Sequence, residues 1–120
     1  MPKILIIDDD PDMRSLMNSL MKRQGYEVAT ASRREEAIKI LEEFHPSVIL
    51  LDVLLSGSDG RELCQEIKSI EKMKDIPVIM FSAHPGAGEN IGSYGADDFI
   101  SKPVNTEALL KKLNEFAKVT

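Results

Sequence analysis

Four short segments of the chain share one pattern, an apolar run that stops at a charged or hydroxyl residue. Residues 4–7, 48–51 and 78–81 are continuous apolar runs, and 99–100 is a shorter one. Runs of this kind are typical of strands that are buried on both faces of a parallel sheet. Because the carboxyl ends of such strands lie along one edge, where ligands bind, we expect the polar residues that follow to converge there. Those residues are Asp8, Asp9, Asp52, Ser82 and Lys102.

Helical patterns separate the strand-like runs. Asp10 and Pro11 supply a cap and a first-turn proline for a helix. Its inward face is predicted to carry Met13, Leu16, Met17, Leu20 and Met21. The more polar segment from Tyr26 to Ala31 is predicted to be an edge strand, and Ser32 with Glu35 forms a capping-box pattern for the next helix. The alternation predicts a doubly wound α/β domain, with a five-stranded parallel sheet and helices on both faces.

The element between the fourth and fifth strands has the weakest helical pattern. Gly86, Gly88, Gly92 and Gly95 lie within ten residues, directly after His84 and Pro85. Each interior glycine costs a helix about 1 kcal/mol relative to alanine. We therefore expect this fourth helix to be short or irregular.

Composition narrows the class of protein. A length of 120 residues suits one domain, covering residues 1–120, and the net charge of −5 argues against direct binding of nucleic acid. No apolar stretch approaches the ~20 residues of a membrane span, and the first strand leaves no room for a signal peptide. The lone Cys64 cannot form an internal disulfide and is expected to be a small buried hydrophobe. These features predict a cytoplasmic domain without membrane insertion.

The converging carboxylates need a positive partner. Two like charges about 4 Å apart repel by ~4 kcal/mol at an effective dielectric near 20, and one lysine cannot neutralise three aspartates. A divalent ion with oxygen ligands fits such a site, and Mg²⁺, or Mn²⁺ in its place, is the cofactor we expect. With a metal and Lys102 present, a phosphoryl group would be attracted, and Ser82 could donate a hydrogen bond to it. Asp52, on the central strand, is the best-placed nucleophile.

At these residues the chain resembles the receiver domain of two-component response regulators, of the single-domain chemotaxis type. The motifs that carry the resemblance run from 4–9 through Leu51-Asp52-Val53 and Ser82-Ala83 to the segment 95–103. The resemblance implies a flavodoxin-like strand order of 2-1-3-4-5, for which a receiver is itself the standard example. It also implies a phosphorylation-controlled signalling switch that is not an enzyme acting on other substrates. The phosphoryl donor would be a sensor histidine kinase or a histidine phosphotransfer protein, and no particular downstream partner is identified.

The resemblance also assigns roles to individual residues. Asp52 would be the phosphoacceptor, and Mg²⁺ would be held by Asp8, Asp9, Asp52 and the backbone carbonyl of Leu54. Phosphoryl oxygens would be bound by Ser82, the backbone of Ala83 and Lys102. Phe99 matches the aromatic switch position, and the bond from Lys102 to Pro103 is expected to be cis.

Three departures from the family pattern bear on the expected behaviour. Ser56 stands where the family usually has proline. Leu54, two residues past the acceptor, has no polar group to orient an attacking water. The span from Ser82 to Lys102 is about two residues shorter than is typical. None of these changes removes a residue needed for phosphorylation.

Other classes of protein fit parts of the pattern. A haloacid-dehalogenase-type phosphatase also begins with a strand and aspartates, but that interpretation leaves Asp52 unused. A flavodoxin-like FMN binder would need a hydroxyl- and glycine-rich loop where Asp8 and Asp9 stand. A calcium loop would need glycine where Met13 is. A pseudo-receiver that is never phosphorylated remains the main alternative, and labelling with a small phosphodonor separates it from a true receiver.

Overall fold

Five parallel strands form the main sheet of the computed structural model, which describes residues 2–55, 58–83, 86, 88–89, 91–102 and 105–117. In chain order they are β1 (Lys3–Ile7), β2 (Glu27–Ala31), β3 (Val48–Asp52), β6 (Val78–Ser82) and β7 (Asp98–Ser101). Two short antiparallel strands, β4 (Leu54–Leu55) and β5 (Ser58–Asp59), pair separately. The main sheet has the order β2-β1-β3-β6-β7. Counting the long strands alone gives 2-1-3-4-5, which confirms the predicted fold.

The strands owe their central position to continuous apolar sequence. Every residue of β3 and β6 is buried, whereas β2 at one edge is mostly only partly buried. Successive strand residues point to opposite faces, so the sheet supports two separate hydrophobic cores. One core holds Leu5, Ile7, Ile49, Leu51, Val78 and Met80 against the second and third helices, and the other holds Ile4, Ile6, Val48, Leu50, Ile79 and Phe81 against the first and last.

The described residues form four α-helices, namely α1 (Pro11–Arg23), α2 (Arg34–Phe44), α3 (Gly60–Ser69) and α4 (Thr106–Phe116). The first three connect strands, and α4 follows β7. Three of them begin at a residue whose side chain accepts a hydrogen bond from the first turn: Asp10, Asp59 and Asn105. Such caps satisfy amide groups that have no partner within the helix. Helix α1 starts close to the end of β1, whereas α3 follows β3 only after the short β4–β5 pair.

Two local predictions were wrong. Leu16 is 61% exposed and does not belong to the buried face of α1. Its spacing matches the apolar stripe, but it lies at the margin of the interface with α4, beside a groove that Met13 and Leu109 also line. The cap of α2 also differs, since the N-cap is Arg33 and the backbone amide of Ser32 donates to Glu36 Oε1 at 2.6 Å instead of pairing with Glu35.

The described residues between β6 and β7 agree with the predicted short or irregular fourth helix. Among them the only helical structure is a single 3₁₀ turn, Ile91–Tyr94. Residues 84, 85, 87 and 90 lie outside the described part of the chain, as do 56 and 57 in the β4–β5 connection. Ser56, which replaces the usual proline, and Pro103 also lie outside the described residues, so the predicted cis bond before Pro103 stays a prediction.

Two further expectations concern Cys64 and membrane-spanning helices. Cys64 is fully buried, and burial raises the pKa of its thiol to about 11, so it behaves as a small hydrophobe. No helix within the described ranges is long and apolar enough to cross a membrane.

Candidate functional site

Three carboxylates meet at the carboxyl edge of the main sheet. Asp8 and Asp9 follow β1 directly, and Asp52 is the last residue of the neighbouring β3. Ile7 pairs with Leu51 in the β1–β3 ladder, so Asp8 and Asp52 stand side by side one step further on. One oxygen from each of Asp8, Asp9 and Asp52 lies within 4.8 Å of the others. The convergence predicted from the sequence is present.

Asp8 is the most deeply buried of the three. Its Oδ1 accepts a hydrogen bond from the backbone amide of Asp10 at 3.0 Å. Its Oδ2 is buried, receives no hydrogen bond from the described residues, and lies 3.5 Å from the ammonium of Lys102. Burial above all, reinforced by the charge of Asp52, raises the pKa of Asp8 to about 6. An unsatisfied buried carboxylate oxygen is costly, which marks this position as one that favours a cation.

The two carboxylate oxygens of Asp52 have different partners, a backbone amide and the ammonium of Lys102. Its Oδ1 accepts a hydrogen bond from the backbone amide of Leu54 at 3.1 Å. Its Oδ2 lies 3.2 Å from Lys102 Nζ. The carboxylate is 8% exposed, so it is reached from the cleft only over a small area.

Lys102 directly follows the edge strand β7, and its side chain reaches the carboxylates at the ends of β1 and β3. Its backbone amide donates to the carbonyl of Ser82 at 2.9 Å, which fixes the residue just after β7. Its ammonium also lies 4.5 Å from the centroid of the Phe81 ring, within range of a cation–π interaction. A lysine held by an aromatic face and two carboxylates is poised to meet an additional anion at the same place.

An open cleft of about 570 Å³ lies over these groups. It is lined by Asp8, Asp9, Asp10, Asp52, Leu54, Ser82, Ala83 and Lys102. Ser82 is buried at its edge, while Leu54 is 55% exposed at the rim. All the residues predicted to bind metal or phosphoryl therefore line one cleft, with an apolar side chain where the sequence anticipated it.

Phe99 does not line the cleft. It lies in β7 opposite Met80, two residues before the pairing of Ser101 with Ser82, and packs against the core that α2 and α3 cover. The ring lies directly over the backbone of Gly88. Phe99 is thus close to Ser82 in the sheet, but its ring contacts Gly88 in the segment before the turn Ile91–Tyr94.

The donor set fits a hard divalent cation. Three carboxylates at the sheet edge offer only oxygen ligands, and Asp8 has an oxygen that the described residues leave unsatisfied. Oxygen-only sites with few protein ligands suit Mg²⁺ and Mn²⁺, which retain water molecules in their coordination shells.

Sequence reasoning missed two residues that shape the site. A Cβ atom at Gly60 would overlap the backbone carbonyl of Asp52, and the Gly60 amide donates to the carbonyl of Val53 at 2.7 Å. Arg14 Nη1 donates to the backbone carbonyl of Asp8 at 2.8 Å. A glycine at the start of a predicted helix was an available signal for close approach, whereas the arginine carried none.

Comparisons with known proteins agree with this geometry. A family model described as the response regulator receiver domain matches residues 4–114. The transcriptional regulatory protein AfsQ1 of Streptomyces coelicolor is 37% identical over 111 residues, which cover 91% of this chain and 48% of that protein. The chain spans about half the length of the curated relatives it matches.

Solved structures give the same result. The chemotaxis protein CheY4 of Vibrio cholerae superposes with a TM-score of 0.90 at 29% identity, covering 97% of this chain and 98% of that one. The receiver domain of the sensor histidine kinase PA1611 of Pseudomonas aeruginosa has a TM-score of 0.88 at 25% identity, with 98% of each chain covered. That structure has a magnesium ion coordinated in its active site cleft.

Proposed function

The chain belongs to the response regulator receiver family, whose members are phosphorylation-controlled signalling switches, and from this membership we propose that Asp52 is its phosphoacceptor. The donor is a phosphohistidine on a sensor histidine kinase or a histidine phosphotransfer protein. Residues 1–120 act as one regulatory domain, which catalyses only its own phosphoryl transfer and dephosphorylation. A downstream protein reads the result through a changed surface.

The observation that carries the proposal is the contact between Asp52 and Lys102. Asp52 Oδ2 lies 3.2 Å from Lys102 Nζ at the floor of an open cleft, while Asp52 Oδ1 is fixed by the amide of Leu54. Asp52 Oδ2 thus lies beside the Lys102 ammonium, which is available to pair with an incoming phosphoryl group. A structural ion pair would not need two further carboxylates and a buried serine beside it.

A divalent cation would be held by Asp8, Asp9, Asp52 and the backbone carbonyl of Leu54. When bound, Mg²⁺ would neutralise carboxylate charge and polarise the phosphoryl group. The fit rests on the all-oxygen donor set and on the unsatisfied Oδ2 of Asp8.

The transfer itself makes one bond and breaks one. An oxygen of Asp52 forms a new O–P bond as the N–P bond of the phosphohistidine breaks, and the imidazole leaves with that electron pair. Lys102 pairs with one phosphoryl oxygen, and the Ser82 hydroxyl and the Ala83 amide donate hydrogen bonds to others. Drawing Ser82 toward the phosphoryl group leaves space into which Phe99 turns, so that phosphorylation shifts a pre-existing equilibrium between two surfaces.

Radiolabelled acetyl phosphate tests this proposal. We expect labelling of the wild type in Mg²⁺, none in excess EDTA, and none for Asp52→Asn, whose fold is checked by circular dichroism. Asp75→Asn is the matched control, because Asp75 is an exposed aspartate remote from the cleft. Stable label on Asp52→Asn, or full labelling in EDTA, contradicts the assignment.

A further inference from the structure

Arg14 is the residue of α1 that reaches back to the acidic strand end. Its guanidinium Nη1 donates to the Asp8 carbonyl at 2.8 Å. Its backbone amide donates to the Asp10 carbonyl at 3.0 Å as part of the first helical turn. The half-buried side chain therefore starts from a fixed backbone position and ties α1 to the segment that carries Asp8 and Asp9.

The Asp8 carbonyl lies just beyond the last residue pair between β1 and β2. The last pair between β1 and β2 is Ile7 with Ala31, and the amide of Asp8 still donates to the carbonyl of Ala31 at 3.0 Å. Asp8 itself lies past the last paired residue, so its carbonyl needs another donor. Arg14 supplies one, through a charge-assisted hydrogen bond.

The same short segment holds the Asp8 side chain. The amide of Asp10 donates to Asp8 Oδ1 at 3.0 Å, so residues 10–14 fix both the backbone carbonyl and one carboxylate oxygen of Asp8. These contacts oppose the repulsion among three carboxylates, of which one oxygen each lies within 4.8 Å of the others.

We propose that Arg14 is a positioning residue that holds Asp8 and Asp9 in their converged arrangement and thereby raises the affinity of the acidic site for a divalent cation. The proposal rests on the metal site of the proposed function. The described side-chain contact of Arg14 is with the backbone carbonyl of Asp8, so it acts through Asp8.

Charge and geometry predict opposite effects of removing this side chain. A guanidinium beside an acidic site weakens cation binding by simple repulsion, so loss of charge alone would tighten it. Loss of the hydrogen bond would loosen the strand end and weaken binding. The sign of the change in affinity therefore separates the two roles.

The test measures Mn²⁺ binding to the full chain by the electron paramagnetic resonance of the free ion, with Mg²⁺ as competitor. For Arg14→Met we expect the Kd to rise about three- to tenfold, the range for one net hydrogen bond. Arg14→Lys keeps the charge, so a rise of about twofold or more in that variant reports geometry alone. Arg23→Met, at the exposed far end of α1, is the matched control for net charge and is expected to bind as the wild type does.

A second readout needs no metal. Amide hydrogen exchange at Asp10 in EDTA is expected to be faster in Arg14→Met, because the acceptor on Asp8 becomes mobile. Unchanged or tighter Mn²⁺ binding in both Arg14 variants overturns the positioning role while the metal site stands. If Arg14→Met does not fold, a wild-type Kd for Arg14→Lys overturns it. Failure of the wild type to bind Mn²⁺ contradicts the metal site itself, and exchange at Asp10 then decides the role of Arg14.

Discussion

The ring of Phe99 lies against the backbone of Gly88, so closely that a Cβ atom at position 88 would stand 2.9 Å from Phe99 Cδ2 and 3.0 Å from Cε2. Glycine is therefore required at 88 for the ring to occupy this place. The contact joins the proposed switch residue to the segment between β6 and β7, whose described residues contain a single 3₁₀ turn. We interpret this position of the ring as the resting state of the switch.

Gly88→Ala is expected to displace the Phe99 ring. Loss of the resting position should favour the other state and raise the affinity for beryllofluoride by about two- to tenfold. Fluorine NMR of protein labelled with fluorophenylalanine follows the ring directly. Gly92→Ala is the matched control, because a Cβ there meets no other atom within 4 Å. A Phe99 signal that changes no more in Gly88→Ala than in the control would argue against the contact as a constraint.

Ser82→Ala is expected to separate phosphorylation from its consequence. The acceptor, the lysine and the acidic group remain, so acetyl phosphate should still label the protein in Mg²⁺. Without the hydroxyl nothing is drawn toward the phosphoryl group, and the Phe99 signal should respond weakly to beryllofluoride. A full wild-type response of Phe99 in this variant would exclude Ser82 from the switch.

The buried Asp8 predicts a pH dependence of stability in the metal-free protein. Its pKa is raised from 3.8 to about 6, so the folded state favours the protonated form. Burial of the protonated Asp8 therefore contributes fully to the free energy of unfolding below about pH 4, and this contribution is lost as the pH rises through about 6. The loss amounts to at most about 3 kcal/mol. Asp8→Asn, which stays neutral, should be more stable than the wild type at about pH 7 in EDTA.

Urea unfolding across this range measures the effect. The difference in free energy of unfolding between Asp8→Asn and the wild type should change between about pH 4 and pH 6 and stay constant above it. Saturating Mg²⁺ should stabilise the wild type more than the variant, because the cation binds the ionised carboxylate. Two parallel stability curves in EDTA would mean that Asp8 is ionised at little cost.

Gly60→Ala is expected to damage both stability and the site. Its Cβ would overlap the carbonyl of Asp52, and overpacking of this kind typically costs about 1–3 kcal/mol. The overlap would push Asp52 out of line with Lys102, so labelling by acetyl phosphate should slow even where the fold persists. Thermal unfolding and labelling rates, measured beside Gly92→Ala, check both parts. Wild-type labelling in Gly60→Ala would show that the backbone tolerates the shift.

The sheet could be predicted from the sequence because its central strands consist of continuous apolar residues. Residues 48–52 and 78–82 are buried throughout, and the topology then brings their polar ends together. The convergence of Asp8, Asp52 and Lys102 followed from strand ends alone. The position of Asp52 on the central strand already favoured it as the nucleophile, the family resemblance supplied the full set of roles, and these roles stay proposals.

The remaining details depend on contacts that no spacing rule encodes. Leu16 fits the apolar stripe of α1 but lies at its margin, where no neighbouring element covers it among the described residues. Glu35 and Glu36 are equally suited by type to cap α2, and the extended backbone of Arg33 places Glu36 within reach of Ser32. The hydrogen bond from Arg14 to a carbonyl arises from the direction of α1 relative to β1, which local sequence does not report.

Asp52 is proposed to form an acyl phosphate, and mapping the modified residue in the phosphorylated protein is the direct test. Protein phosphorylated with acetyl phosphate in Mg²⁺ is reduced with borohydride, which converts an aspartyl phosphate to homoserine, and the peptides are sequenced by mass spectrometry. We expect homoserine at position 52 alone, and none in protein treated in EDTA. Homoserine at Asp8 or Asp9 with an unmodified Asp52, or no modified aspartate at all, would contradict it.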